Sequence, residues 1–284
     1  EYTKILDKMT REIPILPFVS LFLYGDPLLN PAVADIIRKS AEFGVSVDVS
    51  TNLNFAKYLE EVISASPSFL SIPCSGTKDN YELTHTGGHW DVFERNAKLV
   101  RKYIDKYNSD TSVQLSYHLY KHNLDSDYDY VRALTEDLGF EFKPVIANLF
   151  PERIFQHVAY GKEIPENMKK ISETMLYSID DQINYSKSRP QDDICLKVFP
   201  TVRWDGSVVS CYNMEGGEVH PNYLDVSLDD LKKLHHHSKY CTDCRSNNLQ
   251  RLFFPDDKKE LLKSLKEEKK LSSKKDIIDR AELN

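Results

Sequence analysis

The chain has 284 residues, of which 40% are hydrophobic and 29% charged, and it carries a net charge of −7. That composition is globular, its acidic balance excludes a general nucleic-acid footprint, and no apolar run reaches the roughly 18 residues of a membrane span. The opening EYTKILDKMTREI is charged and amphipathic rather than a signal peptide, which points to the cytoplasm.

Strand-like and helix-like segments then alternate. The opening stretch reads as a helix, and Phe18 to Gly25 (FVSLFLYG) is an apolar run of strand length. PAVADIIRKSAEFG follows with helical spacing and a terminal glycine, Gly44. Val45 to Asn52 predicts a second strand and AKYLEEVISAS a helix. Phe69 to Gly76 predicts a third strand, and WDVFERNAKLVRKYIDKYN a long helix. Ser112 to Tyr120 and Phe142 to Phe150 complete five strands, with DYDYVRALTEDLG helical between them. Strands separated by helices imply a parallel α/β sheet or barrel.

The next stretch is polar and partly helical, and Ser186 to Asp193 (SKSRPQDD) reads as a linker. The expected domains are residues 1–185, 186–252 and a charged helical tail at 253–284.

Four of the five cysteines fall in the last third. Cys195 and Cys211 flank TVRWDGSVVS, a hairpin signal with Gly206 at its turn. With Trp204 opposite Ser207, Cys211 lies opposite Pro200, and Cys195 sits about 16 Å further along an ideal strand at ~3.3 Å per residue. A disulfide between them fits poorly. Cys241 and Cys244 form a Cys-x2-Cys, a spacing that aims two thiolates at one metal. Both a four-cysteine zinc knot and an iron–sulfur cluster satisfy this pattern.

The order Cys195, Gly206, Cys211 and then Cys-x2-Cys resembles a SPASM/twitch auxiliary-cluster domain, as does the connecting segment NYLDVSLDDLKKL. Such domains are appended to radical S-adenosylmethionine (SAM) enzymes. The stretch LYGDPLLNPAVADIIRKSAEFGVSVDVSTN is similar to that superfamily's SAM-binding region. The resemblance implies a partial (β/α)6 barrel and one auxiliary 4Fe–4S cluster held by Cys195, Cys211, Cys241 and Cys244. It places Gly25, Asp26 and Pro27 at the amino group of SAM, with Asp26 standing where Glu is usual. It sets Ser50, Thr51 and Asn52 at the end of the next strand, and Ser71 and Ser116 on later strands bordering SAM. The implied reaction is hydrogen-atom abstraction by a 5′-deoxyadenosyl radical, acting on a peptide, a protein or a small carbohydrate-like molecule. The implied electron donor is a flavodoxin or ferredoxin.

The superfamily's Cys-x3-Cys-x2-Cys loop is not among these residues, and Cys74 in SIPCSG reads as a buried small hydrophobe. A second 4Fe–4S cluster is expected only with an N-terminal segment bearing that loop. The non-Met start, with only five strands visible, leads us to expect truncation. The rival reading is a non-catalytic barrel with a structural zinc or iron–sulfur site. The run His235 to His237 reads as a polar helix end, His118 and His122 as hydrogen-bonded structural residues, and Trp204 as packing the hairpin.

Overall fold

The computed structural model describes residues 1–13, 18–22, 25–147, 151–190, 201–209, 211 and 217–253. By compactness the chain divides into two units after Ala147.

In the first unit, helix α1 (Tyr2–Glu12) precedes β1 (Val19–Ser20), α2 (Val33–Glu42), β2 (Val47–Ser50), α3 (Leu59–Ser64) and β3 (Phe69–Cys74). Helices α4 (Lys78–Thr84) and α5 (Trp90–Tyr107), strand β4 (Ser112–Leu119), helix α6 (Ser126–Asp137) and strand β5 (Glu141–Ile146) complete it. The five strands form one parallel sheet in chain order. This is a mixed α/β architecture built on one parallel sheet.

Side chains alternate across a strand, so the register sorts them into two faces. Val47, Val49, Leu70, Ile72, Cys74, Val113, Leu115, Tyr117 and Leu119 lie on the buried face. Helix α2 packs on β2, and α6 on β4 and β5. Each fully buried aliphatic side chain there contributes about 1.5–3 kcal/mol. The opposite face carries half-buried Asp48, Ser50, Ser71, Gln114, Ser116, His118 and Lys143. Phe69, Pro73 and Val145 share that face, which is the more polar of the two.

The sequence segments correspond to these elements with shorter ends. Only Val19 and Ser20 of the first predicted strand pair as β1. Helix α4 is additional: it is two turns long, too short for a periodic signal. Tertiary contacts hold it, with Tyr81 buried beneath it. The Asp127 carboxylate accepts from Thr77 Oγ1 at 2.5 Å and Asn80 Nδ2 at 2.7 Å.

The second unit contains α7 (Pro151–Tyr160), α8 (Glu166–Thr174) and α9 (Ile179–Ser188), then a small antiparallel sheet of β6 (Thr201–Val202), β7 (Val208–Val209) and β8 (Glu218–His220). Helices α10 (Leu228–His237) and α11 (Lys239–Ser246) follow. The first residues of the predicted linker belong to α9, where Ser186 is buried and accepts at its carbonyl from Asn248 Nδ2 at 2.7 Å. The tail from residue 254 lies outside the described residues.

The hairpin register differs by one residue from that expected. Arg203 rather than Trp204 faces Ser207, because Asp205 Oδ1 accepts from Ser207 N at 2.9 Å and Oγ at 2.7 Å. Gly206, at φ +89°, closes the resulting three-residue loop. Trp204 therefore stands at the tip, 97% exposed, and does not pack the hairpin.

The loop after β4 is fixed by Asn123. Its Nδ2 donates to Ser75 O at 2.9 Å and His118 O at 2.8 Å, and its Oδ1 accepts from Tyr120 N at 2.8 Å. Tyr117 OH donates to Asn123 O at 2.7 Å. Asn123→Ala leaves three backbone groups unpaired and is expected to cost about 2–4 kcal/mol, against about 1 kcal/mol for Tyr117→Phe. Urea denaturation of the two variants checks that ordering.

Candidate functional site

The carboxyl ends of β1 and β2 meet through one side chain. Asp26, in the loop after β1, begins a 3-10 turn (Pro27–Leu29) by accepting from Leu28 N at 2.9 Å through Oδ1. Its Oδ2 accepts from Thr51 Oγ1 at 2.7 Å and Asn52 N at 3.3 Å. The two predicted motifs, Gly25–Pro27 and Ser50–Asn52, are thus brought together. A Cβ built on Gly25 meets nothing within 4 Å, so the backbone there is open to a ligand.

The same clamp is anchored from behind. Buried Thr51 accepts from Leu53 N at 3.1 Å, and Leu53, held at φ +57°, accepts from Asn96 Nδ2 at 2.7 Å through its carbonyl. Tyr81 OH donates to Asn52 O at 3.3 Å and accepts from Asn54 Nδ2 at 2.7 Å. Burial raises the Tyr81 pKa, opposed by its bond to Asn54, so the phenol stays protonated.

The predicted serines fall on the polar face. Ser50 and Ser71 are register partners on β2 and β3. Ser116 lies on β4 opposite Pro73, two residues nearer the carboxyl end than Gln114, the register partner of Ser71. Ser116 Oγ makes a long bond to Gln114 Oε1 at 3.4 Å. A serine on such a face offers a hydroxyl to a ligand without filling the space one needs.

Several residues at the site escaped the sequence reading. Asp48 sits on the polar face with Oδ1 buried and without a hydrogen-bond partner, while Ser20 Oγ lies 3.4 Å from Oδ2. Burial raises its pKa, and the Ser20 bond opposes the rise. His85 stacks on Tyr81 with ring centroids 4.2 Å apart, and its Nδ1 lies 3.0 Å from Ser75 Oγ. No short-range pattern connects Asp48 with Ser20 or His85 with Ser75; each pair meets through the fold. Asp48 had a signal, a charged residue between Val47 and Val49; His85, in the polar stretch YELTHTGG, had none.

The histidines after β4 divide. His118 lies on the polar face opposite Val145. His122 stacks on Tyr120 at 5.4 Å, and its two ring nitrogens are buried without hydrogen-bond partners, contrary to the hydrogen-bonded role expected for it. Cys74 is wholly buried and its thiol is pushed up to about 12 by that burial, in keeping with a packing role.

In the second unit, Cys241 and Cys244 occupy one turn of α11, and Cys244 is buried. A tight reversal at Ser238 returns the chain, so both ring nitrogens of His235 come 3.7–3.8 Å from Cys241 Sγ. Cys211 is half-buried, and Cys195 lies outside the described residues. Among the described residues no three His, Cys, Asp or Glu side chains gather as a metal site. No described helix is long and apolar enough to cross a membrane.

The architecture matches solved proteins. Streptococcus suis SuiB bound to S-adenosylmethionine aligns with a TM-score of 0.52 at 12% identity, covering 86% of this chain and 59% of SuiB. SuiB bound to precursor peptide SuiA aligns with the same TM-score, identity and coverage. Histidine-tagged anSMEcpe with bound AdoMet gives a TM-score of 0.50 at 12% identity, covering 86% of this chain and 70% of that one. Those proteins are radical SAM enzymes. This chain has the radical SAM fold. It spans 59% of SuiB, so it matches part of that protein's length. No protein-family model and no curated protein matches the sequence.

Within this fold His85 supplies a pH test. Burial lowers its pKa from 6.5 to about 4, with a bond involving the Tyr81 backbone opposing. Between those values the unfolded chain binds the proton more readily than the fold. Stability present above pH 6.5 is therefore lost as pH falls toward 4. His85→Gln should flatten that decline, by up to about 1.4 kcal/mol per pH unit. Chemical denaturation from pH 7 to pH 4 measures it.

Proposed function

We propose that this chain binds SAM over the carboxyl ends of β1 and β2 and belongs to an enzyme abstracting hydrogen atoms from a peptide substrate. The observation that carries the proposal is the Asp26–Thr51–Asn52 clamp, which joins the two SAM-like motifs beside the open backbone of Gly25. Parallel α/β folds gather ligands at this edge, where strand ends and loops converge. The peptide class is favoured by the alignment with SuiB bound to precursor peptide SuiA.

A 4Fe–4S cluster, when bound, would supply the electron for reductive cleavage of SAM. The sequence holds no Cys-x3-Cys-x2-Cys, so none of these residues fits that cluster. What this chain contributes is binding. The Gly25 backbone admits the methionyl end, and the clamp fixes the loop that meets it. Ser50, Ser71 and Ser116 line the polar face with hydroxyls, beside half-buried Asp48 and His118. We assign the auxiliary cluster to Cys195, Cys211, Cys241 and Cys244. Two of those thiols stand on one turn of α11, and no third ligand gathers with them among the described residues. A flavodoxin or ferredoxin in the cytoplasm is the electron donor of this reading.

The rival reading is a non-catalytic barrel whose same four cysteines hold a structural zinc or iron–sulfur site. Two measurements separate them. Anaerobic calorimetry is expected to give one SAM bound per chain; Gly25→Val, whose side chain enters open space, should keep the wild-type melting temperature and abolish binding. No SAM binding to the wild-type chain contradicts the proposal. Anaerobic reconstitution is expected to yield about four irons and four sulfides per chain, lost in Cys244→Ser. One zinc without iron contradicts the cluster assignment.

A further inference from the structure

We infer that Asp26 is a latch that positions the SAM-binding loop, and that the amino group of SAM is met by other atoms of that loop. The inference rests on the proposed SAM site and refines the role of one residue in it.

The carboxylate is already engaged from three directions. Leu28 N donates to Oδ1, while Thr51 Oγ1 and Asn52 N donate to Oδ2. Thr51 is 2% exposed, and its hydroxyl donates to Asp26 while accepting from Leu53 N. It therefore has neither access nor a free proton for a ligand. The bond between these side chains links residues 25 positions apart and ties the loop after β1 to the loop after β2.

Chain length explains why Asp stands here. The bond from Leu28 N spans two residues, an Asx-type turn that suits a short side chain. A glutamate carries one more methylene, about 1.5 Å of further reach, and would carry its carboxylate past both Leu28 N and Thr51. The shorter residue fits the latch, and a longer one fits reaching outward to a ligand.

The latch is held against a rigid support. Asn96 Nδ2 grips the Leu53 carbonyl at 2.7 Å, and Tyr81 OH grips the Asn52 carbonyl at 3.3 Å. Asn54 Oδ1 accepts from His89 N at 3.0 Å, at the start of α5. The end of β2 cannot move to follow a released loop, so losing the latch frees the loop after β1 alone.

A double-mutant cycle tests this by SAM titration and by amide hydrogen exchange at Leu28 and Asn52. Asp26→Asn and Thr51→Val should each weaken SAM about tenfold, which is 1.4 kcal/mol, and the double variant should be no worse than either single one. Thr51→Ser keeps the hydroxyl and should restore wild-type affinity. Exchange at the two amides should quicken in Asp26→Asn and Thr51→Val and stay slow in Thr51→Ser. If Asp26 meets the amino group directly, Thr51→Val leaves SAM affinity within twofold while Asp26→Asn loses it, and the inference is overturned. Unchanged exchange in both variants overturns the latch itself. A wild-type chain with slow exchange but no SAM binding overturns the SAM site, and with it the ligand half of the inference.

Discussion

A parallel sheet sends every strand in the same direction, so all the carboxyl ends and the loops leaving them collect at one edge. The first unit depends on that constraint. Its five strands share register from Val19 to Ile146, and loop residues far apart in sequence pair across their ends, Asp26 with Thr51 and Asn52, and Asn123 with Ser75. The alternation of side chains then gives the sheet its second property. One face is sealed by aliphatic and aromatic groups, and the other keeps hydroxyls, an amide and a half-buried carboxylate.

The strand ends are wired by side chains more than by backbone. Asn123 pins the β4 loop to Ser75 and His118, and Asp26 pins the β1 loop to Thr51. Tyr81 and Asn96 pin the β2 loop to two helices. Each of these groups sits where an unpaired partner would cost about 1–3 kcal/mol. The same bonds that stabilise the fold therefore hold the candidate site in one geometry. The αL conformation of Leu53 is held within this wiring, by Thr51 on one side and Asn96 on the other.

The sheet was legible because its strands are apolar runs punctuated by Gly44, Gly76 and Gly139, and its long helices repeat at 3.6 residues. The motifs around Asp26 and Asn52 were legible as strings, but their joining was not, since hydrogen bonds across 25 residues leave no local trace. Helix α4 was missed because tertiary bonds to Asp127 hold two turns that carry no period of their own. Trp204 was misplaced through a one-residue register error, decided by the Asp205 side chain rather than by the pattern of β-branched residues. The approach of His235 to Cys241 depends on the reversal at Ser238, which a count along helical spacing passes over.

The central claim is the location of the ligand: the methionyl end of SAM at Gly25–Pro27 and Asn52, with its remainder over the polar face. A crystal structure of the chain grown anaerobically with SAM tests it most directly. The account predicts SAM density against the Gly25 backbone, above Ser50 and Ser71, with the Asp26–Thr51 bond intact. Density at the amino ends of the strands, or against the helices on the apolar face, would contradict it.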